Sequence, residues 1–250
     1  MTSPQAPVVQ MMLTVQFAPP VITLDPVSLT DTFNAFRSEF PVFEQIQRAG
    51  PMPVSIDSTE IHLSAGAARN SFKSLDLSRA LLFQEDRFSY SWQRPNGLQS
   101  KVDYPGYDAL STEAFGLWDR MKSIIPHFSA MEITPVVCEL LYIDHFWLGD
   151  NSPYDEMAKI FSILTPDFVS KPKRLGLNYL EPIDDIGFCE MGISGPAYYG
   201  GAGEPFAQLQ TTGRMALADG WDGAKPAFDR MHDLITEAFT RLIKPEFRPI

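Results

Sequence analysis

Apolar positions along the chain alternate between spacings of two and of three to four, and prolines divide the resulting segments. Val8–Phe17 (VVQMMLTVQF) is apolar and β-branched and ends at Pro19-Pro20, which predicts a mostly buried strand. Thr30 or Asp31 then caps a helix carrying Phe33, Phe36 and Phe40, closed by Pro41. Residues 41–65 show little periodicity and read as an extended loop with an edge strand at Ile56–Leu63. Asn70–Leu75, Ala80–Gln84 and Arg87–Gln93 predict three strands, the last two joined by a tight turn at Glu85-Asp86. Within RFSYSWQ, Phe88, Tyr90 and Trp92 alternate with polar neighbours, as a strand with one buried face requires. A helix follows from Tyr107 to Ile125. Its stripe of Leu110, Ala114, Leu117, Met121 and Ile124 is widened by Trp118, and Pro126 stops it.

The plan then restarts. Val136–Phe146 resembles Val8–Phe17, and Ser152-Pro153-Tyr154-Asp155 marks a helix start, with Ser152 as cap, for a helix running to Pro166. Strands are predicted at Arg174–Leu180, Ile186–Ile193 and Phe206–Ala218. A final helix spans Lys225–Ile243, with Phe228, Met231, Ile235, Phe239 and Leu242 facing inward. The expected fold class is α+β: two pseudo-repeated β-α-β-β-β-α halves, residues 1–129 and 130–250, with antiparallel sheets and helices packed on one face. Two such halves either share one continuous sheet or pack as two small domains.

Charge changes the picture more than composition does. Of 250 residues, 44% are hydrophobic and 20% charged, which is ordinary for a folded chain, but the net charge is −11. The first half contributes −3 and the second −8. Phosphate backbones and anionic lipid are held by clustered cations, so nucleic acid and membrane are unfavoured partners. The two cysteines, Cys138 and Cys189, lie in no CxxC pair and read as buried thiols of a reducing compartment. The first residues lack a basic signal-peptide region, and no stretch has the ~20 apolar residues of a membrane span. A cytoplasmic location is expected, with no metal and no cofactor.

Several segments together carry a family likeness: RFSYSWQR from Arg87, YPGYDAL and LWDRM between Tyr104 and Met121, CELLYIDHF from Cys138, RLGLNYLEPI from Arg174, and MHDLITEAFTRLIKPE from Met231. In these the chain resembles a sporadically distributed, TIGR-defined family of bacterial proteins of unknown function, over most of its length and in the same order. The resemblance implies no activity that can be carried over. Its scattered distribution suits a defence or mobile-element setting. The chain departs from it after the last helix, where members often carry a tryptophan and this sequence reads Phe247-Arg248-Pro249-Ile250.

The residues that could carry chemistry are few. Asp144-His145 ends a strand, but neighbours on a strand point to opposite faces and cannot act as a pair there. His232 lies on the apolar stripe of the last helix, where a histidine is expected to be a core residue with one hydrogen bond. Tyr198–Glu204 is glycine-rich yet lacks GK[ST] and precedes a strand, so it reads as a hairpin connection rather than a phosphate loop. Asp184, Asp185 and Glu190 lack the spacing of a calcium loop. Arg87, Arg94 and Lys101 near Trp92 and Tyr104 are too sparse for a nucleic-acid face. The leading expectation is a non-enzymatic binding or regulatory protein that meets a protein partner, or its own copy, through aromatic side chains. Tyr198 and Tyr199 are the first candidates, and Trp92, Arg94, Tyr104 and Tyr107 form a second group. One alternative is a hydrolase-like enzyme with a site between the halves, where His145 or His232 meets a carboxylate. Another is a nucleic-acid-binding saddle, which the acidic balance disfavours.

Overall fold

The structure is a computed structural model that describes residues 7–20, 26–47, 49–50, 52, 69–124, 133–149, 152–165, 172–184, 186–199 and 204–248. Among the described residues nine antiparallel strands form one sheet: β1 (Val8–Ala18), β2 (Val42–Ile46), β3 (Arg69–Lys73), β4 (Arg79–Gln84), β5 (Arg87–Gln93), β6 (Thr134–Trp147), β7 (Leu175–Ile183), β8 (Gly187–Tyr198) and β9 (Pro205–Ala216). Among the described residues there are four α-helices: α1 (Pro26–Phe36), α2 (Tyr107–Ile124), α3 (Pro153–Ile160) and α4 (Gly220–Leu242). The strand order across the sheet is β2-β3-β4-β5-β1-β6-β9-β8-β7.

Most predicted elements lie where the periodicity puts them, and the exceptions have local causes. The chain Val42–Ile46, read as loop, pairs with β3 as an edge strand, with Phe43 against the Phe72 ring at 5.2 Å. The edge strand expected at Ile56–Leu63 falls outside the described residues. The first helix begins at Pro26, a residue suited to a first turn, and ends at Phe36. Ser152 makes no side-chain capping bond, and α3 stops at Ile160 because Phe161 turns extended to bridge Ile243. Ser162 N–H donates to the Leu242 carbonyl at 2.7 Å, and Lys244 N–H to that of Ile160 at 2.9 Å, tying the ends of α3 and α4 together. The last helix starts at Gly220 rather than Lys225 and runs through Pro226.

The helices cover one face of the sheet. Met11, Leu13 and Val15 of β1 stand in register with Tyr142, Leu140 and Cys138 of β6, and all six are buried. Gly213 of β9 lets α4 lie close, since a Cβ there would sit 3.2 Å from Met231. Met157 of α3 meets Gly195 of β8 in the same way, at 3.1 Å. Trp118 of α2 packs on Phe228 of α4 with ring centroids 5.6 Å apart, so these two helices share a core over the central strands. Burying such a side chain contributes on the order of 1.5–3 kcal/mol. The opposite face carries Gln10, Thr14, Ser89, Gln208 and Gln210, whose side chains bond mainly across the strands, as with Thr14 and Ser89 at 2.7 Å.

Candidate functional site

Where α2 and α4 diverge above the β1–β6 pair, a pocket of about 440 Å³ opens, within the range that holds small organic ligands. Four stretches far apart in sequence build it. Pro7 and Val8 come from the start of β1, and Tyr142 and Asp144 from β6. Tyr104 to Ala109 supply the entry to α2, and His232, Ile235, Thr236 and Phe239 come from α4.

The rings are held by one another. The Tyr104 and Tyr142 hydroxyls lie 3.3 Å apart, and the Tyr142 hydroxyl reaches His232 Nδ1 at 3.0 Å. Tyr107 stacks on the His232 ring, with centroids 4.1 Å apart and planes within 6°, and its hydroxyl donates to Asp229 at 2.8 Å. Burial pushes the Tyr104 phenol up to about 12 and the Tyr142 phenol well above its usual value. Burial also lowers the His232 imidazole, partly offset by Asp233, Asp108 and Asp229, so the ring is neutral at pH 7.

Asp144 differs from the rest. It is only 3% exposed, and among the described residues its carboxyl has no hydrogen-bond or ion-pair partner. Desolvation raises its pKa to about 7. Removing a carboxylate from water without a partner disfavours the charged form, and no described side chain compensates here.

The sequence candidates divide into two groups around this strand. Tyr104 and Tyr107 line the pocket, with Trp92 behind Tyr104 at 5.3 Å, and Trp92 is 2% exposed, leaving no surface to offer a partner. Tyr199 and Arg94 lie on the other side. The Tyr199 hydroxyl bonds His145 Nδ1 and accepts from Leu98 N–H at 3.2 Å, while its ring stacks on Phe206 at 4.5 Å. Arg94 is 3% exposed, and its three guanidinium nitrogens are buried without a hydrogen-bond partner. Tyr198 is the exposed member of its pair, at 49%. Asp144 and His145 point to opposite faces, so of the two histidines considered for an inter-half site only His232 shares a pocket with a carboxyl. His145 instead bonds Gln208 at 3.2 Å, and desolvation lowers its pKa to about 4.

Asp144 as a pocket acid was missed because it was weighed with its neighbour His145. The usable signal was the two-residue period: Cys138, Leu140 and Tyr142 mark the buried face, and Asp144 continues it. Asp184 is paired with Arg230, and among the described residues no three His, Cys, Asp or Glu side chains converge on a metal-sized site. No helix among them is long and apolar enough to cross a membrane. On the helix-free face Arg87 is paired with Asp86 at 2.8 Å and Arg214 with Glu139 at 2.5 Å, which leaves Arg94 there without a hydrogen-bond partner among the described residues. Comparison of the chain with protein-family models returns no match, and comparison with curated proteins returns no relative.

Proposed function

We propose that this chain is a non-enzymatic binding protein whose ligand seats in the pocket between α2 and α4, over the β1–β6 pair. The observation that carries this is Asp144, a buried carboxyl left unpartnered beside a space large enough for a ligand. An unpaired polar group in a folded interior costs about 1–3 kcal/mol, and a ligand that satisfies it recovers that cost on binding. Such a ligand would make the protein a sensor or carrier that reports to a partner protein or to a second copy. Cytoplasmic residence and membership of the bacterial family it resembles belong to the same proposal.

The site acquires a natural place if the chain is two β-α-β-β-β-α halves, residues 1–129 and 130–250. Outward from the seam the strands run β1, β5, β4, β3 and then an additional edge strand β2 on one side, and β6, β9, β8, β7 on the other. The first half thus carries one strand more than that repeat, and the order agrees only without β2. The helix that ends each half, α2 or α4, then forms one wall of the pocket. The enzyme alternative keeps one supporting observation, that His232 and Asp144 line the same space. Against it, the His232 ring is already bonded to Tyr142 and stacked on Tyr107.

The test is a fragment screen by ligand-observed NMR on wild type and on Thr236→Trp. Thr236 is exposed at the rim, so the indole fills the mouth without entering the core. Fragments should bind wild type and lose binding in the variant. Fragments that bind both equally would place the ligand site elsewhere.

A further inference from the structure

The walls of the α2–α4 pocket are mostly rings and aliphatic groups, and the ionisable groups that face Asp144 can be named element by element. Strand β6 presents Tyr142. The entry to α2 presents Tyr104, Tyr107 and Asp108, and α4 presents His232 with Asp229 and Asp233 near it. Strand β1 brings only Pro7 and Val8, which carry no charge. The lysine on this side of α4, Lys225, is held by Asp229 at 2.9 Å. At neutral pH the surroundings are therefore acidic or uncharged.

That balance separates the possible ligands. An anion would meet Asp108 and Asp144 in the lining, with Asp229 and Asp233 acting on His232 beside it. An uncharged apolar ligand would bury Asp144 further and leave its carboxyl without a partner. An ammonium group satisfies the carboxyl, and the electron-rich faces of Tyr104, Tyr107 and Tyr142 attract a cation within about 6 Å of a ring. The acidic mouth raises the local concentration of cations on the approach.

Resting on the reading of this pocket as a ligand site, we propose that it recognises an alkylammonium group, a protonated amine on an apolar stem. Its N–H groups donate to the Asp144 carboxylate, and its stem lies against Tyr107 and Phe239. A free amine and a lysine side chain offer the same chemistry, and a test can separate them. With a pKa of about 7, Asp144 is half protonated near pH 7, and pairing with a cation ionises it, so binding at pH 7 releases about half a proton per site.

Calorimetry at pH 8 with phenethylamine, its uncharged analogue 2-phenylethanol, and a short leucine-flanked single-lysine peptide tests this. Phenethylamine should bind at least tenfold more tightly than the alcohol. Asp144→Asn should weaken the amine at least tenfold and abolish its advantage over the alcohol. Tighter binding of the peptide than of the amine identifies a polypeptide source, with the ammonium chemistry upheld. Proton release, read from wild-type heats at pH 7 in buffers of different ionisation enthalpy, needs no variant to fold. Equal binding of amine and alcohol, with no proton release, overturns the ammonium proposal but leaves the pocket as a site. Failure of all three probes, together with fragments that ignore Thr236→Trp, overturns both.

Discussion

Strand β6 presents two buried or half-buried ionisable residues in succession, and the pleat sends them into opposite environments. On the helix side, Asp144 borders about 440 Å³ of open space and has no partner among the described residues. On the other side, His145 stacks on Phe206 and is bonded to both Tyr199 and Gln208. Nearby Arg94 is as little exposed as Asp144 and its guanidinium makes no hydrogen bond among the described residues, with Asp103 the carboxylate that acts on its charge, and it does not line the α2–α4 pocket. A buried unpaired charge thus marks a candidate ligand site only where there is room for the ligand. In a filled cluster the same feature is simply a cost to the fold.

The largest effect that would sharpen this contrast is the pH dependence of Asp144. Its folded pKa, about 7, lies above the ordinary value of 3.8. The folded chain therefore holds a proton the unfolded chain has lost, and stability falls as pH rises from about 4 to 7 and stays low above that. Asp144→Asn removes this penalty and should stabilise the protein at pH 8 by on the order of 3–4 kcal/mol, with no gain at pH 4. Urea midpoints across pH measure it, and a flat difference would mean the carboxyl is solvated. His145 has the opposite sign. Its folded pKa, about 4, lies below the ordinary 6.5, so it costs stability as pH falls from 6.5 to 4. His145→Gln should flatten that acid side, and the loss of its stack on Phe206 should lower stability by a constant amount above pH 7.

The packed cluster is next. Gly97 has φ +57°, and a Cβ there would run into the Tyr199 ring. Gly97→Ala should cost about 1–3 kcal/mol by thermal melting and displace Tyr199 from His145. An unchanged melting temperature would show that the cluster has slack. Arg94→Met keeps the aliphatic stem and removes the unpaired charge, and should stabilise by about 1–3 kcal/mol. Destabilisation instead would reveal an anion held there. Smallest of all is Tyr198→Ala. Its ring is 49% exposed, so stability should change by less than about 0.5 kcal/mol. If a partner protein is recovered from lysate, undiminished capture by this variant would remove Tyr198 from the docking surface.

Much of the fold was legible because period and punctuation agree. The alternation in RFSYSWQ gives the bounds of β5 but not its burial, since Arg87, Ser89 and Ser91 on the polar side are buried along with Phe88, Tyr90 and Trp92. The stripe from Leu110 to Ile124 gives α2. Edge strand β2 was missed because only Val42, Phe43 and Ile46 are apolar and its outer side pairs with no described strand. The end of α3 was misjudged because the bridge from Phe161 to Ile243 is a long-range contact that no local signal announces. Of the pocket, Tyr104, Tyr107 and His232 were noticed separately, for different reasons. Phe239, expected inside the core, is only partly buried because it lines that space.

What the sequence by itself determined is which face each residue of a strand or helix turns to, since that follows from the dihedral repeat of the backbone. It set Asp144 and His145 on opposite sides and put His232 on the apolar stripe of the last helix. Only the tertiary structure decided that Asp144 and His232 line one space, because their elements meet through β1–β6 pairing and the packing of Trp118 on Phe228. The packing of α2 against α4 likewise decided where side chains fill the gap between helices and where they leave it open, and a void has no residue of its own in the sequence.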